Sequence, residues 1–309
     1  MKPKGCVMRI FITGGTGFVG KALSRRLAEG GHDVTVLTRT LRREQDLPDR
    51  ITLREGDPTE PGSWQDLVPD HNAAINLAGA SIFTRWTDKN KARIRNSRIR
   101  TTQNLVDALR KKAGKKNLLL STSAVGYYGP HGDETLDEKT GPGDDFLASV
   151  TRDWETSALA ASDYGVRVVL CRFGIVLGQR GGALQKMLPP FRRYLGSPLG
   201  SGKQWFSWIH IKDLIEIYPF LLEHEGISGP LNMTAPHPVR NKVLTRALGQ
   251  VLKKPTFMPA VPGFLLKMAM GEFGSVLLEG QKVAPKKLLD ADFPFRFPRI
   301  QDALEDLLT

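Results

Sequence analysis

The stretch that decides the fold lies at residues 10–20 and reads I-F-I-T-G-G-T-G-F-V-G. Its apolar start runs into three glycines at three-residue spacing, Gly14, Gly17 and Gly20. Apolar residues then recur at helical spacing through residues 22–28, so the order predicts a buried strand, a tight turn and a helix. In dinucleotide-binding units the first glycine permits the turn, the second lets the backbone approach a pyrophosphate, and the third lets helix and strand pack closely. The free N–H groups and the dipole of the helix N-terminus then face the anion.

The bulk composition is that of an ordinary globular protein. The chain has 309 residues, of which 40% are hydrophobic and 25% charged, enough for one large domain or two closely joined ones. No apolar run reaches the roughly 18 residues of a membrane helix, and the start of the chain is too short for a signal peptide. Cys6 and Cys171 adjoin apolar strand-like runs, which favours buried thiols of a reducing compartment. We therefore expect a cytoplasmic protein with no membrane segment and no metal site.

The formal net charge of +12 is concentrated in one place. Residues 85–116 contain twelve Lys or Arg against two Asp. Such a run could attract nucleic acid or another polyanion. The reading that we favour is a solvated helix face near an anionic cofactor, because aromatic side chains do not alternate with the cations as they do in single-strand binders. Nucleic-acid binding is therefore not expected.

The end of the second strand, residues 32–38, indicates which dinucleotide binds. NAD-binding units place a carboxylate there to accept from the ribose 2′-hydroxyl. Here the strand ends in Thr38 and Arg39, and Arg42 and Arg43 follow. A guanidinium can bind a 2′-phosphate through two hydrogen bonds, whereas a carboxylate repels it. The sequence therefore predicts NADP, held by Arg39; the alternative is that Arg39 only begins a solvated loop.

Three later strand ends complete the predicted cofactor site. Asp57 follows a short strand at residues 51–53 and could accept from the adenine amino group or cap the next helix; both readings stay open. Small residues after the strand at 73–77 would let the backbone lie against the cofactor, and hydroxyls end the strand that begins at residue 117. A helix is predicted at residues 98–109. The predicted cofactor-binding residues are Gly14, Thr16, Gly17, Phe18, Val19, Gly20, Arg39, Asp57, Leu77, Ala78, Gly79 and Ser121.

These motifs, in this order, resemble the extended short-chain dehydrogenase/reductase family of the sugar epimerase/dehydratase type. The chain is most similar to an atypical subgroup known only as epimerase family proteins, with a C-terminal domain of unknown function. The motifs that carry the resemblance are Thr13-Gly14-x-x-Gly17-x-x-Gly20, Gly56-Asp57, Leu77-Ala78-Gly79, Ser121-Thr122-Ser123, Trp154-Glu155, Gly202-x-Gln204-x-Phe206-x-Trp208-Ile209-His210, Asn232-x-Thr234-Ala235-Pro236 and the tail at 277–288.

The resemblance implies an α/β fold, a Rossmann-type doubly wound parallel sheet with a smaller, partly interleaved C-terminal substrate domain. Residues 1–178 would form the NADP-binding domain, completed by about 203–236. Residues 179–202 and 237–309 would form the substrate domain, with a small molecule bound between the two. A homodimer is compatible with this assignment.

The chain departs from the family on the helix after the serine strand. There the family carries a Tyr-x-x-x-Lys pair, in which Tyr moves the proton and Lys lowers its pKa. Alignment on Glu155 brings Leu147 and Thr151 to these positions, and residues 145–161 contain neither Tyr nor Lys. The standard proton-transfer pair is therefore absent from the expected helix.

Three hydroxyls remain as predicted catalytic residues. Ser123 matches the serine that orients the substrate oxygen in the family, although it could equally hydrogen bond at the strand end. Tyr127 and Tyr128 are the nearest phenols, and an unassisted phenol has a pKa near 10. Arg172 could attract an anionic substrate or pair with a local acid. His210 with its neighbouring acid has the look of a general base, but the resemblance implies a structural role.

Two functions follow from these residues. The first is an NADP(H)-binding, epimerase-like oxidoreductase acting on an unidentified small carbonyl or hydroxyl compound. The alternative is a catalytically weak or inactive regulatory protein that senses NADP(H), and the missing Tyr and Lys support it.

Overall fold

The computed structural model describes residues 7–41, 48–111, 117–179 and 181–309. Of the residues named above, Cys6, Arg42 and Arg43 therefore lie outside the described residues, and so do three of the twelve cations counted in residues 85–116: Lys112, Lys115 and Lys116. Strands and helices are numbered along the chain. The strands are β1 Arg9–Thr13, β2 Asp33–Thr38, β3 Ile51–Glu55, β4 Ala73–Asn76, β5 Asn117–Ala124, β6 Thr135–Leu136, β7 Val166–Phe173, β8 Ile175–Gly178, β9 Trp205–Phe206, β10 Trp208–His210, β11 Gly229–Met233, β12 Val239–Arg240 and β13 Lys282–Val283.

The helices surround these strands. They are α1 Phe18–Glu29, α2 Asp88–Arg110, α3 Phe146–Leu159, α4 Gly182–Arg192, α5 Ile211–Glu223, α6 Asn241–Leu252, α7 Gly263–Met270, α8 Phe273–Val276, α9 Lys286–Asp290 and α10 Ile300–Leu308. Within the described ranges no helix is both long and apolar enough to cross a lipid bilayer.

Seven strands form one parallel sheet in the order β11-β7-β5-β4-β1-β2-β3. The chain moves outward from β1 to β3, then returns past β1 to β4 and continues to the other edge. Strand order therefore reverses between β1 and β4, the switch point where doubly wound sheets bind ligands beyond the strand carboxyl ends. The predicted Rossmann-type α/β fold is confirmed.

Both faces of the sheet are covered, which is why its strands read as continuous apolar runs. Ile10 and Ile12 of β1 point to the face that packs on α1, α5 and the tail segment with Phe293. Phe11, between them, points to the opposite face, which packs on α2, α3 and the turn with Trp64. All three β1 residues have no exposed surface.

A third apolar cluster lies outside the main sheet. Helices α4, α6 and α10 enclose it around Trp208, which is completely buried. Segments 179–202 and 237–309 both contribute to it, while Leu288 and Phe293 of the second segment pack on the main sheet. The division into two domains remains a prediction, and the contacts join the two parts closely.

Helix α2 is longer than the predicted helix at residues 98–109. It begins at Asp88, because the Thr87 side chain caps it by accepting a hydrogen bond from the backbone N–H of Asn90. Its first turns are largely polar, with Ile94 as their buried apolar residue, so apolar periodicity alone does not mark them. The added turns extend α2 past the end of β4.

Gly20→Ala is expected to destabilise the protein by about 2 kcal/mol or more. A methyl group at Gly20 would lie 2.3 Å from the carbonyl oxygen of Gly14, and overpacking against backbone typically costs about 1–3 kcal/mol. Gly132→Ala is the matched control, because nothing lies within 4 Å of a methyl group there. Urea unfolding of the three proteins measures the difference, and equal midpoints would contradict the expectation.

Candidate functional site

The glycine turn presses against the chain that leaves β4. Gly14 has φ +71°, and a side-chain carbon there would lie 2.7 Å from the backbone nitrogen of Ala78 and from the carbonyl carbon of Leu77. The backbone N–H of Gly17 donates to the carbonyl of Gly14 at 3.0 Å and closes the turn. Only glycine tolerates both the positive φ and this approach.

The N-terminus of α1 is open. Gly17 is its N-cap residue, and neither a side-chain cap nor an acidic residue occupies its first turn. The first N–H groups of a helix have no partner within the helix, so those of Phe18 and Val19 can reach an anion together with the helix dipole. The Phe18 ring packs on Gly178 and Gly181 and fastens this helix end to β8 and α4. Thr16 is exposed beside it. The turn fits a dinucleotide pyrophosphate.

The adenosine end of the site lies beyond β2 and β3. Arg39 follows β2 directly, is exposed, and forms no ion pair within the described part of the chain. Asp57 follows β3, and its Oδ1 accepts hydrogen bonds from the N–H and the hydroxyl of Thr59 at 2.9 and 2.7 Å. One carboxylate oxygen of Asp57 therefore shapes its own turn. The helical turn that follows begins at Ser63 with Gly62 as its N-cap residue, so Asp57 does not cap it, and its contact with adenine stays a prediction.

A buried hydrogen-bond chain fixes the neighbouring strand ends. The Thr13 hydroxyl donates to Oδ1 of Asn76 at 2.7 Å, and Nδ2 of Asn76 donates to the Thr102 hydroxyl at 2.8 Å. The indole N–H of Trp154 donates to the same hydroxyl at 2.8 Å. These bonds join β1, β4, α2 and α3, and the sequence analysis missed them. Ser121, paired with Asn76 in the sheet, is buried at 1% exposure.

Helix α3 presents apolar and self-bonded side chains where the family carries its Tyr and Lys. The Thr151 hydroxyl donates to the carbonyl of Leu147 at 2.6 Å, within the helix itself. Leu147 packs on Gly126. Thr151 carries no charge, and its hydroxyl is already hydrogen bonded within the helix, so it does not supply the cation that would lower the pKa of a phenol.

A buried polar network joins α3 to the ends of β5 and β7. The Ser123 hydroxyl donates to Glu155 at 2.5 Å, and Arg172 binds both oxygens of Glu155 at 2.7 and 2.8 Å. The same guanidinium donates to the Tyr128 hydroxyl at 2.9 Å, which donates to Oδ1 of Asn232 at 2.7 Å. All five residues are at most 5% exposed. Of the alternatives for Arg172, pairing with a local acid is therefore the one observed.

Burial and pairing act differently on the pKa values of the two ionisable side chains Tyr128 and Arg172. Burial raises the pKa of Tyr128 to about 12, so its hydroxyl keeps its proton at neutral pH. Burial acts to lower the pKa of Arg172, but the hydrogen bonds and charge of Glu155 outweigh it and the net pKa is raised. The hydroxyls of Ser123 and Tyr128 are thus engaged in the interior, and their catalytic roles stay predictions.

Tyr127 differs from these two residues. It is half-buried, and the central carbon of the Arg172 guanidinium lies 3.5 Å from its ring centroid. Its hydroxyl makes no hydrogen bond to the described residues. Among the three predicted catalytic residues, Tyr127 is the one whose hydroxyl is not already bound to a protein group.

His210 and Asp213 have structural partners. Nδ1 of His210 accepts from the backbone N–H of Lys212 at 3.0 Å and caps α5, and burial lowers the His210 pKa to about 4. The Asp213 carboxylate accepts from the backbone N–H groups of Arg296 and Phe297 at 3.0 and 2.9 Å. Asp213 therefore anchors the tail and His210 caps α5, in line with the structural role that the resemblance implied. Across the described ranges, no three His, Cys, Asp or Glu side chains are grouped to hold a metal ion.

The comparison with known families follows this geometry. The family model described as "NAD dependent epimerase/dehydratase family" matches residues 10–233. The chain belongs to this family. Residues 261–307 match a domain of unknown function, DUF1731. The resemblance stated from the motifs is confirmed, and the seven-stranded sheet is an NAD(P)-binding Rossmann fold.

Relatives cover almost the whole chain. The chloroplastic epimerase family protein SDR39U1 homolog of Arabidopsis thaliana is 40% identical over 97% of this chain and 87% of its own length. The epimerase family protein YfhF of Bacillus subtilis is 38% identical over 97% and 98%. The human epimerase family protein SDR39U1 (isoform 2), whose crystal structure was determined with NADPH, superposes with a TM-score of 0.84 at 34% identity, over 97% of this chain and 99% of that one.

Glu155→Gln is expected to cost about 3–5 kcal/mol of unfolding free energy, because it leaves the Arg172 guanidinium charged and unpaired in the interior. Asp33→Asn is the matched control, since it removes a carboxylate from an exposed pair with Arg50, and such pairs contribute about 0–1 kcal/mol. Chemical denaturation measures both. A Glu155→Gln effect as small as that of the control would show that the network is not a stabilising unit.

Proposed function

We propose that this epimerase-family protein binds NADP(H) and uses it in an oxidoreductase or epimerase-like reaction on a small carbonyl or hydroxyl compound. The observation that carries the proposal is the open N-terminus of α1 behind the glycine turn, with Arg39 beyond β2. These two features match the pyrophosphate and the 2′-phosphate of one ligand. The NADPH in the human relative's structure supports the same cofactor.

Each predicted cofactor residue has a role in this proposal. The N–H groups of the turn and of α1 hold the pyrophosphate, and Leu77, Ala78 and Gly79 supply backbone against which the dinucleotide lies. Arg39 binds the 2′-phosphate, and Asp57 holds the turn beside the adenine. Ser121 is buried next to Asn76, the last residue of β4, and supports the sheet edge through that strand pairing. NADP(H), when bound, supplies or accepts a hydride.

The protein must then move a proton to or from the substrate oxygen. We assign this step to Tyr127, the phenol whose hydroxyl makes no hydrogen bond to the described residues. Arg172 packs on its ring, and Ser123, Glu155 and Tyr128 hold Arg172 in place. In this assignment Ser123 and Tyr128 act through Arg172 and position the proton donor from the interior.

A regulatory protein that senses NADP(H) is the second candidate. The observation that favours it is the pairing of Ser123 and Tyr128 with interior partners, together with Leu147 and Thr151 on α3. Such a protein would keep the cofactor site and bind a partner according to the cofactor's redox state.

Arg39→Ala is expected to weaken NADPH binding by about 10- to 100-fold and to leave NADH binding unchanged. A charge-assisted hydrogen bond contributes about 1.5–3 kcal/mol, and NADH lacks the 2′-phosphate. Arg50→Ala removes an exposed arginine at the opposite end of β2, where it pairs with Asp33, and serves as control. Fluorescence titration gives the dissociation constants, and equal wild-type affinity for the two cofactors would refute the 2′-phosphate assignment.

Tyr127→Phe is expected to lower kcat by about 100-fold or more with an unchanged NADPH dissociation constant, because a positioned acid contributes at least that factor. Tyr164→Phe is the control, a half-buried phenol beside Arg110 and just before β7 begins. NADPH oxidation is followed over a panel of small carbonyl compounds. Tight NADPH binding without turnover of any of them would favour the regulatory candidate.

A further inference from the structure

The basic stretch at residues 85–116, most of it on α2, contains paired cations, exposed unpaired cations and, among its described residues, one half-buried cation without a carboxylate partner. Four of its members bind carboxylates from elsewhere in the fold: Lys91 with Glu272, Arg95 with Asp153, Arg100 with Glu60 and Lys111 with Asp66. Arg98 is half-buried in the middle of the same helix and has no carboxylate partner within the described residues. Burial lowers its pKa to about 10, and no acidic group opposes the shift.

Arg98 is held in place by neutral groups. Its Nη1 donates to the backbone carbonyls of Ala80 and Ile94 at 3.0 and 2.9 Å. Its guanidinium carbon lies 5.3 Å from the ring centroid of Trp154. An arginine carries five N–H donors, so Nε and Nη2 retain three that no described residue accepts. A desolvated cation costs free energy unless an anion offsets it, which indicates a partner from outside the chain.

The position of Arg98 identifies that partner. Its guanidinium lies 3.4 Å from the place of a side-chain carbon on Gly79, and Ala78 in the same segment touches the Gly14 turn. It therefore stands at the carboxyl edge of the sheet, between β4 and the α3 residue Trp154. Adenosine binds on the β2 side of the switch point, so the β4 side receives the nicotinamide half of the dinucleotide.

We propose that Arg98 binds a phosphate oxygen of the dinucleotide on its nicotinamide side. The inference rests on the proposed NADP(H) binding and extends it with a second cation, which acts at the pyrophosphate, whereas Arg39 acts at the 2′-phosphate. A guanidinium whose Nη1 is already bound presents Nε and Nη2 as a preformed fork, the geometry that binds phosphate through two hydrogen bonds.

Arg98→Gln tests the assignment through two ligands, NADPH and adenosine 2′,5′-bisphosphate. The bisphosphate contains the adenosine half with its 2′-phosphate but lacks the phosphate on the nicotinamide side. We expect Arg98→Gln to weaken NADPH about 10- to 100-fold and to leave the bisphosphate unchanged. Arg39→Ala should weaken both ligands. Arg98→Lys retains the charge without the fork and should give an intermediate NADPH affinity.

Thermal unfolding separates a binding role from a structural one. Arg98→Gln loses two hydrogen bonds to backbone carbonyls but also removes a desolvated cation, so we expect its ligand-free Tm to equal or exceed that of the wild type, while the rise in Tm on adding NADPH shrinks. Arg93→Gln removes one exposed charge from the same helix and controls for the general field. Equal NADPH affinity in Arg98→Gln and wild type, equal weakening of both ligands, or a lower ligand-free Tm would each overturn the proposal. A wild type that fails to bind NADPH would instead refute the proposed function itself.

Discussion

The contact between the glycine turn and the chain leaving β4 sets the positions of α1 and of the strand ends at the carboxyl edge of the sheet. At Gly14 the backbone of Leu77 and Ala78 lies so close that a side-chain carbon would not fit between them. At Gly20 the backbone of α1 lies equally close to the turn from the other side. This double approach holds the N-terminus of α1 over the switch point, the place where doubly wound sheets bind their ligands. Larger side chains would separate the three segments and move the helix end away.

Charge in this protein is divided between two environments. In the interior, Glu155 neutralises Arg172, and the pair binds the hydroxyls of Ser123 and Tyr128, while burial raises the pKa of Tyr128 and keeps it protonated. At the sheet edge, Arg39 and Arg98 have no carboxylate partner among the described residues. Interior cations are compensated because desolvation would otherwise destabilise the fold, whereas cations at a ligand site remain free to bind anions. This division is consistent with a site whose unpaired cations bind a dinucleotide while the buried polar network stays unchanged.

Much of the fold was predictable because its signals are local. The glycine spacing, the strand ends at Arg39 and Asp57 and the absent Tyr and Lys can be read within short windows, and they led to the Rossmann sheet and to the family. The start of α2 was missed because its first turns carry little apolar periodicity. Without an apolar periodic run after it, Thr87 cannot be recognised in the sequence as the residue that caps the helix. The partition of the C-terminal segments also escapes local patterns, since Leu288 packs on the main sheet and Leu304 on the outer cluster.

The sequence by itself determined the order of strands, the dinucleotide turn and the loss of the family's proton-transfer pair. Tertiary structure alone decided which hydroxyl is engaged and which cation is unpaired. Ser123 meets Glu155 across 32 residues and Tyr128 meets Asn232 across 104, and both contacts depend on the face to which a side chain points. Arg98 looks like its basic neighbours in sequence. It differs because each paired neighbour meets an acid from a distant segment, and only the folded chain brings those segments together.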